Sequence, residues 1–183
     1  MSDNTLYRIA LIGPESTGKS TLAQDLADHY QSIHVPEFSR AYMESLKRKY
    51  EKPDVIYCIA AQFESERKLI SRANRILFVD TESIMGSVWM EDVYNTRSDL
   101  AEKLIRKYPY DLYLLCEPDL PFEEDPVREN PLRRDHFFNR YKDELIKRNF
   151  NFDIVSGIDE QRLKNAIAII ESKLVLLPKH VPD

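Results

Sequence analysis

Residues 13–20 read Gly13-Pro14-Glu15-Ser16-Thr17-Gly18-Lys19-Ser20, the spacing G-x-x-x-x-G-K-[ST], and Thr21 follows. Each residue type in that run has a task. Gly13 and Gly18 permit backbone angles that side chains forbid, so successive N–H groups turn inward on one anion. The helix expected next adds its positive end to the same point. Lys19 reaches the β- and γ-phosphates of a nucleotide, and Ser20 offers a hydroxyl to Mg²⁺. The chain holds only four glycines, and two of them stand in this motif. The question it poses is the destination of the terminal phosphate: water, a protein or a small molecule.

Three further groups bear on that question. In VPEFSRAY, Glu37 is followed one helical turn later by Arg40. A carboxylate at Glu37 can orient an acceptor hydroxyl and take its proton as attack proceeds. A strong base is not needed, because the phosphoryl transition state is loose. Arg40 is placed to grip a substrate or a phosphate oxygen. Asp80 closes the apolar run ILFVD, where a carboxylate meets Mg²⁺ directly or through water. The opposite division, Asp80 as base and Glu37 as substrate anchor, fits the same residues. Lastly, Arg128, Arg133, Arg134 and Arg140 flank a proline-rich, acidic stretch at 118–131. A loop of that kind closes over a nucleotide, excludes water and brings arginine charge to the transferring group. Arg128 and Arg134 are the favoured pair, with Asp125 positioned to hold Arg128.

Absent motifs narrow the choice. A regulatory GTPase needs N-K-x-D and D-x-x-G, and neither is in the sequence. A motor ATPase carries Asp-Glu after its hydrophobic strand, whereas here Thr81 follows Asp80 and Glu82 comes one place late. Two classes stay in play: a kinase of a small hydroxyl-bearing substrate, and a nucleotide-dependent binding or signalling module.

The elements that must position these residues alternate along the chain. Apolar runs at 7–12, 33–35, 76–80, 111–117 and in FDIVSG read as strands. Helical spacing is expected over 18–30, 38–50, 53–72, 81–94, 98–107, 132–149 and 159–174, with Ser98 and Asp159 as caps. Strands separated by helices imply a parallel sheet covered on both faces, with ligands at the carboxyl ends of the strands. The glycine loop, Glu37, Asp80 and Glu117 all fall at such ends. The expected fold is α/β, a P-loop nucleoside-triphosphate hydrolase/kinase fold with a five-stranded parallel sheet. It forms one domain over 1–183, with its core at 5–175 and a lid at 118–140.

The bulk numbers agree with a globular enzyme. Of 183 residues, 43% are hydrophobic and 31% charged, and the net charge of −5 argues against a dedicated nucleic-acid binder. Nothing approaches the roughly 18 apolar residues of a membrane span, and the opening residues MSDNTLYRIALIG lack the basic start of a signal peptide. A cytoplasmic location is the default expectation. Cys58 and Cys116 sit far apart in apolar settings, as core thiols of a reducing compartment do. None of His29, His34, His136 and His180 shows metal-ligand spacing with another. No sequence feature marks an oligomeric state.

GPESTGKST, VPEFSRAY, ILFVDTES, YDLYLLCEPDLPFEEDPVREN with Arg134 after it, and VSG-x₄-R occur in that order across almost the whole chain. This spaced set resembles the ribosylnicotinamide kinase domain of NadR-type proteins, within the P-loop ATPase/kinase-like group. The resemblance implies ATP and Mg²⁺ as cofactors and transfer of the γ-phosphate to the 5′-hydroxyl of nicotinamide riboside. It implies that Gly13, Glu15, Ser16, Thr17, Gly18, Lys19, Ser20 and Thr21 bind the phosphates, and that Gly157 lies near adenine. Glu37 and Arg40 face the riboside, and Ser20 and Asp80 serve the metal. The Asp125-to-Arg128 element matches the lid. Members of the family carry an aromatic residue before the Glu37 position, whereas this chain has Pro36; Phe38, Tyr42 and Trp89 are the candidates for a stacking face. The helix-turn-helix and adenylyltransferase motifs of tri-domain members are not in this sequence, so the kinase step alone is implied.

Overall fold

Three strands of this chain are apolar at every position or nearly so, the signature of a parallel sheet buried on both faces. In the computed structural model, which describes residues 6–123 and 131–174, they form the middle of one sheet. The strands are β1 (Tyr7–Ile12), β2 (Ile33–Val35), β3 (Ile76–Asp80), β4 (Leu112–Cys116) and β5 (Phe152–Val155), in the order β2-β3-β1-β4-β5. All pairs are parallel. The strand order reverses at β1, so the loop leaving β1 opens at the crevice where such sheets bind ligands.

The helices are α1 (Lys19–His29), α2 (Phe38–Ser45), α3 (Lys52–Leu69), α4 (Ser83–Tyr94), α5 (Asp99–Lys107), α6 (Arg134–Lys147) and α7 (Asp159–Leu174). Alternate residues of β1 face opposite ways. Ile9 and Leu11 pack with Leu22, Leu26, Ala166 and Ile170 of α1 and α7. Ala10 and Ile12 join the larger cluster of α3, α4, α5 and α6. Among the described residues, no helix is long and apolar enough to cross a membrane.

The structure shortens the helix expected over 38–50, which ends at Ser45. The reason lies in the next helix. Glu51 and Asp54 form a capping box at the start of α3, and Arg48 donates to both oxygens of Asp54 at 2.7 and 2.9 Å. Residues 46–51 are thereby drawn into a loop. Ser98 caps α5 as expected, accepting from the Ala101 N–H at 3.2 Å.

Candidate active site

The register of β1 and β3 sets the site. Leu11 pairs with Asp80, so the carboxylate sits level with the residue two before the glycine loop. Thr81 N–H donates to Leu11 O at 3.1 Å and continues the connection past the last pair. Gly13 has a φ of 151°, and a Cβ there would lie 2.8 Å from the Cys116 carbonyl oxygen. The loop is seated that tightly on the end of β4. Gly13→Ala is therefore expected to cost about 1–3 kcal/mol, the range for overpacking, read as a lower urea midpoint with loss of ATP binding by calorimetry.

Within the loop, Thr17 Oγ1 and Lys19 Nζ both donate to Pro14 O at 2.9 Å. Ser20 Oγ donates to Asp80 Oδ2 at 2.5 Å. Asp80 is 1% exposed, and its Oδ1 is buried with no hydrogen-bond partner among the described residues. Burial pushes the Asp80 carboxyl up to about 6 against the pull of the nearby Lys19 ammonium, and the Glu37 carboxylate adds to the rise. A buried carboxylate oxygen without a donor, beside a hydroxyl at the phosphate end, is a hard-oxygen pair suited to Mg²⁺. Among the described residues no group of three or more His, Cys, Asp or Glu gathers as a metal cage.

Thr81 adopts a φ of 72°, an outlier for a β-branched residue and the kind of strain that collects at functional sites. It lines the cavity described below, beside Asp80. Relief of about 1–3 kcal/mol of strain, less about 0.5–1 kcal/mol for glycine's entropy, leaves about 0–2.5 kcal/mol, so Thr81→Gly is expected to raise Tm, by about 2.5–5 °C at the middle of that range. Calorimetric melts of wild type and variant check it.

Glu37 precedes α2 and accepts a hydrogen bond from Ser39 Oγ. Arg40 pairs with Glu44 at 3.3 Å and is 43% exposed at its side chain. Both line one cavity of about 720 Å³, together with the whole phosphate loop from Gly13 to Thr21. The same cavity extends into an apolar lobe from four helices and the loop after α2: Met43, Tyr50, Val55, Ile59, Met85, Trp89, Phe137 and Tyr141. Trp89 is central to it, 5.5 Å from Phe137 and 6.4 Å from Tyr50 between ring centroids. The volume suits a small organic ligand beside a nucleotide's phosphates.

Arginines shape the rim. Arg134, in the first turn of α6, donates to Leu120 O at 2.8 Å and to Ser16 O at 3.0 Å, joining the 118–123 segment to the phosphate loop. Its neighbours are committed elsewhere. Arg133 holds Asp92 at 2.6 and 2.8 Å and Arg140 holds Glu91 at 2.6 Å, so α6 is fastened to α4 with Arg134 turned toward the loop. Arg162 of α7 is buried and ties together Glu117 O, Val155 O, Gly157 O and Asp119 past the ends of β4 and β5.

The structure thus gathers the loop, Glu37, Arg40, Trp89 and Arg134 on one cavity, with Asp80 behind Ser20 and Thr81. It does not bring Pro36, Phe38 or Tyr42 to the lining. Phe38 and Tyr42 stack on each other at 6.0 Å and meet Tyr57 across α3, and the Tyr42 hydroxyl is spent on Asp54 at 2.8 Å. Gly157 is off the lining too, its N–H donating to Asp119 at 2.6 Å. Glu117 contributes only its backbone, to Val155 and Arg162. Arg128 and Asp125 lie outside the described residues. Both cysteines are buried and unpaired with each other; burial pushes Cys58 to about 12 and Cys116 to about 11.

Sequence reasoning missed the apolar lobe's Tyr50, Phe137 and Tyr141, and it missed Gln62; Arg162 entered only as the last residue of VSG-x₄-R, without a role. Gln62 Oε1 accepts from Phe38 N–H at 2.8 Å, and its Nε2 donates to Asp80 O at 3.1 Å. The one available signal for Gln62 was its phase, on the same helical stripe as Val55, Ile59 and Glu66.

Set beside known proteins, residues 8–162 match a family model for an AAA domain, AAA_28. The chain is 26% identical over 175 residues to the Trifunctional NAD biosynthesis/regulator protein NadR of Escherichia coli (strain K12). That match takes in 91% of this chain and 42% of the relative. A crystal structure of NadR protein in complex with NR superposes with a TM-score of 0.79 at 20% identity, over 97% of this chain and 54% of that one. A second, of NadR in complex with NAD and AMP-PNP, gives 0.75 at 19% identity, over 97% and 52%. The chain therefore spans well under two thirds of each of these relatives. The structural likeness shows the fold, that of the nucleoside-kinase-like P-loop proteins.

Proposed function

This chain belongs to the AAA domain family AAA_28, and on that footing we propose that it is an ATP- and Mg²⁺-dependent kinase of a small riboside, nicotinamide riboside first. The observation that carries the reading is the single cavity running from the phosphate loop into an aromatic lobe, with Glu37 and Arg40 on its wall. A hydrolase needs room for water alone; this cavity has room for an organic alcohol.

ATP sits with its phosphates on the inward N–H groups of residues 13–20, and Lys19 exchanges its bond to Pro14 O for the β- and γ-oxygens. Ser20 and Asp80 would hold Mg²⁺, which would supply charge neutralisation at the phosphate oxygens. The riboside's ring lies in the lobe against Trp89, where an aromatic face attracts a cationic pyridinium. Arg40 steadies the ribose. The 5′-oxygen attacks the γ-phosphorus, the bond to the β-bridging oxygen breaks, and the hydroxyl proton passes to the Glu37 carboxylate. Arg134 supplies charge at the rim. The products, a nucleotide and ADP, leave to the cytoplasm.

The relatives support the choice of acceptor, since NadR is known in complex with NR and with AMP-PNP. A motor ATPase is disfavoured further by Glu82. Its two oxygens accept from the Ile84 N–H at 2.9 Å as the cap of α4. Burial pushes its carboxyl up to about 8. It is not available to activate water as the second acid of a motor ATPase is. The test is a panel of ribosides and vitamins incubated with ATP and Mg²⁺ and read by mass spectrometry. A phosphate-sized gain on nicotinamide riboside is expected; tight ATP binding with every riboside unmodified would reject the proposal.

A further inference from the structure

We propose that Gln62 is a positioning residue that sets the spacing of the two carboxylates of the site, Glu37 and Asp80, and this rests on the kinase reading above. The ladder between β2 and β3 ends at the pair Val35–Val79. Neither Glu37 nor Asp80 is held by that ladder, though both must stand at fixed distances from the same phosphate. Gln62, 8% exposed on α3, takes over where the ladder stops. Its Oε1 accepts at 2.8 Å from the N–H of Phe38, the residue joined to Glu37. Its Nε2 donates at 3.1 Å to the carbonyl of Asp80 itself.

The chemistry at the two ends selects the side chain. The Phe38 N–H is an orphan donor of the first turn of α2, and the Glu37 side chain does not cap it. The Asp80 carbonyl only accepts. One group must therefore accept at one atom and donate at the other, which fixes the amide's orientation and leaves glutamine as the neutral side chain of this reach. Methionine copies the length and makes neither bond. Glutamate keeps the acceptor but sets an oxygen against the Asp80 carbonyl.

A substrate-binding glutamine and a positioning glutamine differ in which constant they move. In the full chain, Gln62→Met and Gln62→Glu are expected to lower kcat for riboside phosphorylation about 10²-fold, as an ångström-scale misplacement does, with KM for ATP and riboside each within about threefold of wild type. A kcat within twofold of wild type, or a loss carried wholly by riboside KM, would overturn the proposal. Amide exchange at Phe38, followed by NMR, needs no turnover. It should quicken in Gln62→Met, and unchanged exchange overturns the tether. If the wild-type chain phosphorylates no riboside, the kinase reading fails by itself, while the exchange result still decides whether Gln62 holds the junction.

Discussion

Replacing Glu37 with glutamine is expected to lower riboside phosphorylation by about 10²–10⁴-fold, the range for a lost general base, and to leave ATP affinity within about twofold. The two halves of that expectation come from different residues. In the proposed reaction ATP is held by the loop and Lys19, whose contacts do not involve Glu37. Glu37 meets only Ser39 Oγ among the hydrogen bonds described, and an amide oxygen still accepts that bond, though more weakly than a carboxylate. Stability should therefore change little, and the loss should fall on kcat. Calorimetric titration with ATP and steady-state phosphorylation of the riboside read the two halves separately. A signalling module predicts the opposite: unchanged ATP turnover in Glu37→Gln and no stimulation by any riboside.

Asp80→Asn should give the opposite pattern for folding, a more stable protein that is nearly inactive. Asp80 has its carboxyl raised from 3.8 to about 6 in the folded chain. A group raised on folding contributes stability that is fully present below its unfolded pKa and lost as pH rises through the folded one. Wild type thus loses stability between about pH 4 and pH 6 on account of this residue, by about 3 kcal/mol. Asparagine carries no such penalty. The nucleotide-free variant should melt about 6–12 °C above wild type at pH 8, the difference closing toward pH 4. Adding Mg²⁺ and ATP should narrow or reverse the gap, because wild type gains more from the ligand. Loss of the metal-binding oxygen removes several kcal/mol of charge stabilisation, so kcat is expected to fall about 10²–10³-fold. Melting curves at pH 4 and pH 8, with and without ligand, check the sign at each corner.

What was legible in the sequence follows the range of the interactions. ILFVD and LYLLC read as strands because burial on both faces leaves no polar position inside them. The phosphate loop was legible because backbone geometry demands glycine at two set places. The end of α2 was not, since Arg48 and Glu51 abandon the helix for Asp54, a contact with the next element. Arg134 was favoured over Arg133 and Arg140 in the sequence, but what sets it apart was hidden for a similar reason. Arg133 just precedes α6 and Arg140 lies well inside it, and their pairing with Asp92 and Glu91 of α4 leaves Arg134 turned toward Ser16. Trp89 could be singled out as the lone tryptophan, but Tyr50, Phe137 and Tyr141 come from distant segments and meet it only after folding. Phe38 and Tyr42, close to Glu37 in sequence, point instead to Tyr57. Gln62 joins residues from two other elements, a relation that no local pattern encodes.

The central claim is an arrangement: a triphosphate on residues 13–20 facing an alcohol held at Glu37 in the same cavity. A crystal structure of the chain with Mg²⁺, AMP-PNP and nicotinamide riboside tests it most directly. The account predicts the 5′-oxygen about 3–3.5 Å from the γ-phosphorus, in line with the bond to be broken, and hydrogen-bonded to the Glu37 carboxylate. A riboside bound outside the lobe lined by Trp89, or a Glu37 carboxylate that touches neither the riboside nor a water on it, would contradict the account.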